Sequence, residues 1–472
     1  MSPMRRRLVN LLEKLVDVQP NEVRALIWST VYFFLVLTAY YILRPIRDEM
    51  GVAGGVENLA WLFTGTLVGM LLLHPFYTWL VGRLPRRTFI PLTYRFFIAN
   101  LILFFFVFRW ADAEQAVWVG RVFFIWTSVF NLFVVSVFWS FMADIYAPDQ
   151  SKRLFGMVAV GGTVGAILGS GITSALAEIM GPVQLMLVSA VVLEIAVRAS
   201  NGLDRNEDRL AETQQHEAGE ENSAPAATPA AAPKGETKRR ASVRGSLVIG
   251  GGVLEGISHV LKSPYLIGIA ALMLFYTITS TFVYFQQAEI TAEVFGDDSA
   301  SRTQLFANID LFVNILTLVT QLFLTGRIMK WFGVGIGLAF LPVVCILGFG
   351  ILAAAPVLAA LVVFQTIRRA ANYAIQRPAR EVLYTVLART DKYKAKNFND
   401  TFVYRLGDQV GAWSYTLIGW LGLGVAGLSL LMVPFSAVWL VLAFWLGKRY
   451  VDRKGEWDLN RSSRPALGPT GA

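Results

Sequence analysis

The sequence is short of the residues that build disulfide frameworks, metal sites and water-soluble surfaces. It contains one cysteine, Cys345, so no disulfide can form within the chain. Its three histidines, His74, His216 and His259, are scattered and do not have the spacing of metal ligands. Charged residues make up only 16% of the chain, against about a quarter in soluble domains. Such a chain needs lipid as its solvent, and no metal or cofactor is expected.

Apolar residues are abundant, at 55% of the 472 positions. They form about twelve runs, each close to the roughly 20 residues that a membrane-spanning helix needs. The first six predicted spans are 22–43, 58–80, 88–108, 116–142, 157–179 and 183–197, and the second six are 265–288, 304–325, 334–353, 357–375, 398–419 and 425–446. The sequence therefore predicts an all-α membrane protein with about 12 transmembrane helices in two six-helix bundles.

The composition changes between the sixth and seventh spans. Residues 200–246 are rich in Ala, Pro, Glu and Lys, which predicts a flexible linker. The expected organisation has five parts: a segment 1–21, a first bundle 22–199, the linker 200–246, an amphipathic helix near 252–263 with the second bundle in 247–447, and a polar tail 448–472.

The net charge of +9 comes from basic residues in short loops between spans, which is an orientation signal and not a sign of nucleic-acid binding. One side holds most of them, among them Arg83, Arg87, Arg327, Lys330 and Lys448. The positive-inside rule then predicts a multi-pass protein of the bacterial inner membrane, with both termini and the linker in the cytoplasm.

The two halves of the chain repeat. A shift of about 242 positions superimposes four residues of each half: Asp149, Lys152, Gly165 and Gly169 fall on Asp391, Lys394, Gly407 and Gly411. Because both halves enter and leave on the same side, they are parallel repeats related by an axis along the membrane normal. Gly161, Gly165 and Gly169 also share one helix face, a spacing that lets helices approach closely.

Two arginines at the end of the first span are the most informative charged residues. Arg44 and Arg47 lie three apart and share a helical face, so together they form a fork for carboxylate or phosphate oxygens. The alternative is that they reach the membrane interface and pair with Asp48 and Glu49. The unusual occurrence of two arginines on the arginine-poor side favours a binding role.

A second group of polar residues lies in the tenth span. Arg368, Arg369 and Asn372 either line a central cavity and bind substrate or pair with neighbouring helices. Candidate residues for coupling or ion pairing are Asp48, Asp310, Arg405 and Asp408, with Arg95 and Glu194 as a further pair. Because no catalytic triad, paired carboxylates or Cys/His group stands out, an enzyme is not expected.

These segments resemble the nucleotide (ATP/ADP) translocase family, a distant branch of the major facilitator superfamily. Residues 41–48 are similar to the family's pattern Tyr-x-Ile-Leu-Arg-Asp-x-Lys-Asp at the end of the first span. Residues 138–145 followed by 149–156 resemble its fourth-span end, and Ala371-Asn372-Tyr373 with Pro378 and Glu381 resembles its tenth span. The resemblance implies two helix bundles and the transport of nucleotides.

The sequence departs from the family where that family carries charges thought to handle the nucleotide. Arg47 keeps the positive charge of the first-span lysine. Thr127 or Ser128 and then Thr281 stand near the two acidic residues, and Asp408 replaces the eleventh-span lysine. The leading hypothesis is therefore a secondary transporter of a small anionic solute, a nucleotide or other phosphorylated compound.

Two alternatives stay open at the level of sequence. One is a proton-coupled transporter of the same superfamily with an unknown substrate. The other is a membrane scaffold or sensor that does not transport, with the linker as its binding segment. Neither the substrate nor the oligomeric state follows from the residues.

Overall fold

The computed structural model describes residues 22–146, 148–221, 260, 263–387, 395–396 and 398–462, and this part of the chain is helical without a strand. The first half contains α1 Val23–Ala53, α2 Leu59–Arg83, α3 Arg86–Trp110, α4 Ala113–Ile145, α5 Pro148–Met180 and α6 Pro182–Glu221. The second half contains α7 Pro264–Phe295, α8 Ser299–Phe323, α9 Thr325–Ala354, α10 Leu358–Ala371, α11 Arg377–Leu383, α12 Tyr404–Gly419 and α13 Val425–Ser462. A short 3-10 turn, Val56–Asn58, joins α1 to α2.

Ten of the described helices are long and apolar enough to cross a membrane. The other two predicted spans are present as interrupted helices. A π-helical segment, Asn372–Gln376, joins α10 to α11, and a second, Asn399–Val403, precedes α12. The predicted all-α membrane fold is therefore confirmed.

Two helices continue beyond the ends of the predicted spans. The sixth helix continues to Glu221, well into the segment expected to be a linker from residue 200, because Ala, Glu, Gln and Arg there favour helix. The last helix continues to Ser462, past the expected start of the tail at residue 448. The segment 1–21, most of the remaining linker and the amphipathic helix near 252–263 lie outside the described residues.

Each half has its own apolar core. One cluster of buried side chains runs from Val23 to Leu203, and the other runs from Val260 to Tyr450 with a few residues of α1, α2 and α4 added. The two clusters correspond to two helix bundles, each formed by one half of the chain.

Glycines bring equivalent helices together in both bundles. A side chain at Gly165 of α5 would collide with the backbone carbonyl of Phe34 in α1. A side chain at Gly407 of α12 would collide with the side chain of Thr277 in α7. The close approach expected from the glycine spacing therefore occurs between the fifth and first spans of each half.

The two bundles meet through α1 and α5 against α8, and through α2 against α12. We call the side with the α2–α3 and α8–α9 turns, where Arg83 and Arg327 lie, the basic side. The hydrogen bonds that Ser174 and Thr64 make across the interface, to Asn308 and Gln409, lie toward the opposite side. These contacts hold the bundles together above a central cavity.

Candidate functional site

The central cavity has a volume of about 480 Å³ and lies near the middle of the helices, between the two bundles. Of the described residues, four charged ones line it: Arg44 and Arg47 of α1, and Arg405 and Asp408 of α12. Five tyrosines also line it, namely Tyr40, Tyr41, Tyr284, Tyr373 and Tyr404. The polar part of the lining is therefore rich in hydroxyl groups and predominantly cationic.

Arg44 contacts the second bundle through Asp310 of α8. Its Nη1 lies 3.4 Å from Asp310 Oδ1, and Arg369 Nη2 of α10 lies 2.6 Å from the same oxygen. Asp310 is almost fully buried, at 2% exposure, so its charge needs these partners. One carboxylate thus serves two guanidinium groups, and Arg44 has the longer contact.

Arg47 is positioned mainly by an aromatic ring. Its guanidinium carbon lies 4.3 Å from the centre of the Phe124 ring, a cation–π contact. The nearest carboxylate oxygen, Asp48 Oδ1, is 3.7 Å from Arg47 Nη1 and accepts a 3.0 Å hydrogen bond from Tyr284 Oη. The buried Arg47 Nε has no hydrogen-bond partner within the described residues. Arg47 therefore keeps donor capacity for another group.

Arg405 and Asp408 form the expected ion pair on the opposite wall. Arg405 Nη1 lies 3.4 Å from Asp408 Oδ2, one helical turn away. The predicted pair of Arg95 and Glu194 is also present, at 3.4 Å, but it lies on the exposed surface, where such pairs contribute little.

Three residues predicted to bind substrate do not line the cavity. Arg368 donates two hydrogen bonds, of 3.0 and 2.6 Å, to Gln365 Oε1 and is buried within the second bundle. Asn372 donates to Tyr276 Oη at 2.8 Å. Arg369 joins the Asp310 contact instead. None of these three residues lines the cavity, but Tyr373, which follows Asn372 in the chain, does.

A fully buried ion pair on the side opposite the basic side was not anticipated. Arg302 of α8 donates from Nη2 to Glu49 Oε1 of α1 at 2.9 Å and from Nη1 to the carbonyl of Gly296 at 2.7 Å. The side chains are 6% and 1% exposed. Unlike Arg44 and Arg47, Arg302 makes hydrogen bonds of ordinary length. Its contact with Glu49 also joins the two bundles.

Sequence reasoning also missed the tyrosines. Aromatic residues are common in membrane helices, so none of the five was distinctive by itself. A usable signal was present at Tyr40 and Tyr41, which directly precede the arginine pair, and at Tyr404, which directly precedes Arg405.

Two repeated helix bundles around a membrane-embedded cavity define a polytopic membrane protein of the transporter type. A family model described as "Major Facilitator Superfamily" matches residues 25–375, and the chain belongs to this family. No curated protein matches the sequence closely enough to be reported as a relative.

Solved structures show the same fold. A bacterial homologue of the human lysosomal transporter Spinster, in an inward-facing and unoccupied conformation, is 14% identical with a TM-score of 0.52, covering 95% of this chain and 100% of the other. A point mutant of the nucleoside transporter NupG is 12% identical with a TM-score of 0.52, covering 90% and 98%. NupG itself is 13% identical with a TM-score of 0.50, and the match covers 91% of this chain and 98% of NupG. At these identities the likeness concerns the fold alone.

Proposed function

We propose that the protein is a secondary transporter of a small anionic solute, which binds to Arg44 and Arg47 in the central cavity. The observation that carries the proposal is the loose contact of both arginines with carboxylates, at 3.4 and 3.7 Å, on the cavity wall. These distances exceed the usual 2.7–2.9 Å of charge-assisted hydrogen bonds. An anion could therefore form stronger hydrogen bonds with them than their present partners do.

The charges around the cavity support an anion. Within the cluster of contacts described above there are four guanidinium groups, on Arg44, Arg47, Arg369 and Arg405, and three carboxylates, on Asp48, Asp310 and Asp408. One positive charge is left over in a setting of low dielectric, where a bound anion would be favourable. Phosphate and carboxylate oxygens match the planar donor geometry of arginine.

The arrangement of the bundles supports alternating access. The buried pair of Glu49 and Arg302 and the contact of Arg44 with Asp310 both join the halves on the side of the cavity away from the basic side. If the positive-inside rule gives the orientation, this conformation is closed toward the outside. Breaking these contacts while the halves meet on the basic side would expose the cavity to the other compartment.

A nucleotide or other phosphorylated compound is the substrate class that the resemblance of residues 41–48 and the two cavity arginines favour. Asp408 on the cavity wall supports a proton-coupled transporter as the second candidate, because a carboxylate beside the binding arginines can carry a proton. Dependence of uptake on an imposed pH gradient would separate the two.

The test is uptake of radiolabelled nucleotides, sugar phosphates and inorganic phosphate into proteoliposomes. For an accepted solute, Arg47→Ala should lower affinity about tenfold or more, because a charged hydrogen bond contributes about 1.5–3 kcal/mol. Arg109→Ala is the matched control, since Arg109 lies in the last turn of α3 and does not line the cavity.

Equal effects of the two substitutions would mean that Arg47 is only an interface anchor. Absence of uptake for every anion, at matched insertion, would favour a non-transporting scaffold or sensor. Arg47→Lys should be intermediate, because lysine keeps the charge and loses the forked donor geometry.

A further inference from the structure

The cavity walls contributed by the two halves differ in chemistry. Every described residue that the second half contributes has a polar group: Ser280, Thr281, Tyr284, Tyr373, Tyr404, Arg405, Asp408 and Gln409. The first half contributes a mixed wall. It supplies the arginine pair, further polar and aromatic residues and, toward the basic side, a set of apolar side chains; the polar and aromatic residues are Tyr40, Tyr41, Phe63, Thr66, Phe124, Ser128 and Asn131. We call the set of apolar side chains the apolar strip: Phe33, Leu37, Leu67, Met70, Leu132 and Val135.

The apolar strip is separated from the arginines along the bundle axis. On α1, Leu37 precedes Arg44 by seven positions and Phe33 precedes Arg47 by fourteen, which corresponds to roughly 10 Å and roughly 20 Å at 1.5 Å per residue. On α4 the lining runs from Phe124, which contacts Arg47, to Val135 near the basic side. The cavity is thus elongated, with a cationic end and an apolar flank.

Hydrating an apolar strip on a cavity wall is unfavourable, so the strip gains most from contact with an apolar group. Among the residues that the structure describes, none that the second half contributes to the lining supplies an aliphatic side chain to cover it. The geometry points to a solute that brings the missing apolar part.

We propose that the transported anion is amphiphilic, with a phosphate or carboxylate head at Arg44 and Arg47 and an aliphatic portion along the apolar strip. This inference rests on the proposed function, because the arginines must bind the head. It adds that affinity depends on the hydrocarbon part of the solute.

A series of alkyl phosphates tests the inference. Binding of ethyl, butyl and hexyl phosphate to the full-length protein in lipid nanodiscs is measured by titration calorimetry, with adenosine monophosphate and hexanol for comparison. The dissociation constant should fall about twofold to fourfold for each added methylene, the larger factor corresponding to complete burial. Hexyl phosphate should bind more tightly than both comparison compounds.

Variants locate the effect. Leu67→Ala combined with Leu132→Ala removes part of the apolar strip and should flatten the dependence on chain length, so that the dissociation constants of ethyl and hexyl phosphate become more similar. Leu72→Ala is the control, because Leu72 lies on the same helix as Leu67, is 71% exposed and does not line the cavity. It should leave the dependence on chain length unchanged.

The experiment distinguishes failure of the amphiphilic solute from failure of the proposed anion transport. Phosphate binding with no dependence on chain length would overturn the amphiphile and leave the anion transporter standing; the strip would then serve only to seal the closed bundle. Tighter binding of adenosine monophosphate than of hexyl phosphate would overturn the aliphatic tail and indicate a solute with a planar ring. Hexanol binding as tightly as hexyl phosphate would overturn the role of the arginines and hence the proposed function.

Discussion

The two halves of the chain share a framework and differ in what they present to the cavity. In both, a glycine of the fifth span packs against the first span, Gly165 on α1 and Gly407 on α7. The cavity wall of the first half combines arginines and other polar residues with apolar side chains, whereas every described residue that the second half contributes has a polar group. The repeat therefore constrains helix packing, and the cavity wall is free to diverge.

The halves also differ in the regularity of their helices. The described parts of α1 to α6 contain no π segment, while the second half contains two, Asn372–Gln376 and Asn399–Val403. In the first of these, Thr325 Oγ1 donates to the carbonyl of Ala374 at 2.7 Å. Because π segments are rare and often functional, the second half is the better candidate for helix rearrangement during transport.

The largest expected effect comes from removing the buried ion pair of Glu49 and Arg302, which joins the two halves. Glu49→Gln should destabilise the protein by about 3–5 kcal/mol, because it leaves the guanidinium of Arg302 buried without its carboxylate. Thermal unfolding in detergent measures the effect. Glu49→Gln combined with Arg302→Gln should recover much of the loss.

The control for this prediction is Glu194→Gln, which removes the exposed partner of Arg95 and should cost less than about 1 kcal/mol. Similar losses at Glu49 and Glu194 would show that the contact between the halves is not the weak point of the fold.

The glycine contacts offer a sharper comparison of the halves. Gly165→Ala should cost about 1–3 kcal/mol, because its Cβ would collide with the backbone carbonyl of Phe34, which cannot rotate away. Gly407→Ala should cost less, since its worst collision is with Thr277 Oγ1, which a second rotamer can move away, leaving only the close approach of Thr277 Cβ. Denaturation midpoints of the two variants provide the comparison.

Gly171→Ala is the matched reference for both, because a Cβ there meets no atom within 4 Å. It should stabilise the helix by about 0.5–1 kcal/mol. A loss at Gly407 as large as that at Gly165 would mean that the two interfaces are equally rigid.

The smallest expected effect concerns the π segment. Thr325→Val removes the hydroxyl that donates to Ala374 O and should cost about 0.5–1.5 kcal/mol. Hydrogen exchange of residues 372–383 should become faster in this variant, while exchange in α1 stays the same. Unchanged exchange in the π segment would argue that Thr325 does not stabilise it.

Most of the fold was predictable because a membrane-spanning helix is encoded by one local property, a long apolar run. The π segments were not, since they depend on backbone hydrogen bonding that leaves hydropathy unchanged. Helix ends at Glu221 and Ser462 were missed for a related reason: polar residues with high helix propensity continue a helix beyond the membrane.

The candidate site was predictable only in part. Helical spacing placed Arg44 and Arg47 on one face, and both line the cavity. Arg368 and Arg369 are neighbours, so they point about 100° apart, and the sequence does not say which one faces α8. Arg369 forms an ion pair with Asp310, and Arg368 donates a hydrogen bond to Gln365. Which arginine makes which contact depends on how the helices are rotated about their axes.

If the protein transports an anion as proposed, the excess positive charge of the arginine and carboxylate cluster would make its transport cycle sensitive to membrane voltage. When access changes from one side to the other, the electric field is redistributed across the four guanidinium and three carboxylate groups of the cluster. A full charge crossing the field is worth about 2.3 kcal/mol per 100 mV. A bound monoanion would cancel that charge, so the loaded carrier would reorient almost independently of voltage while the unloaded carrier would be held back or driven by it.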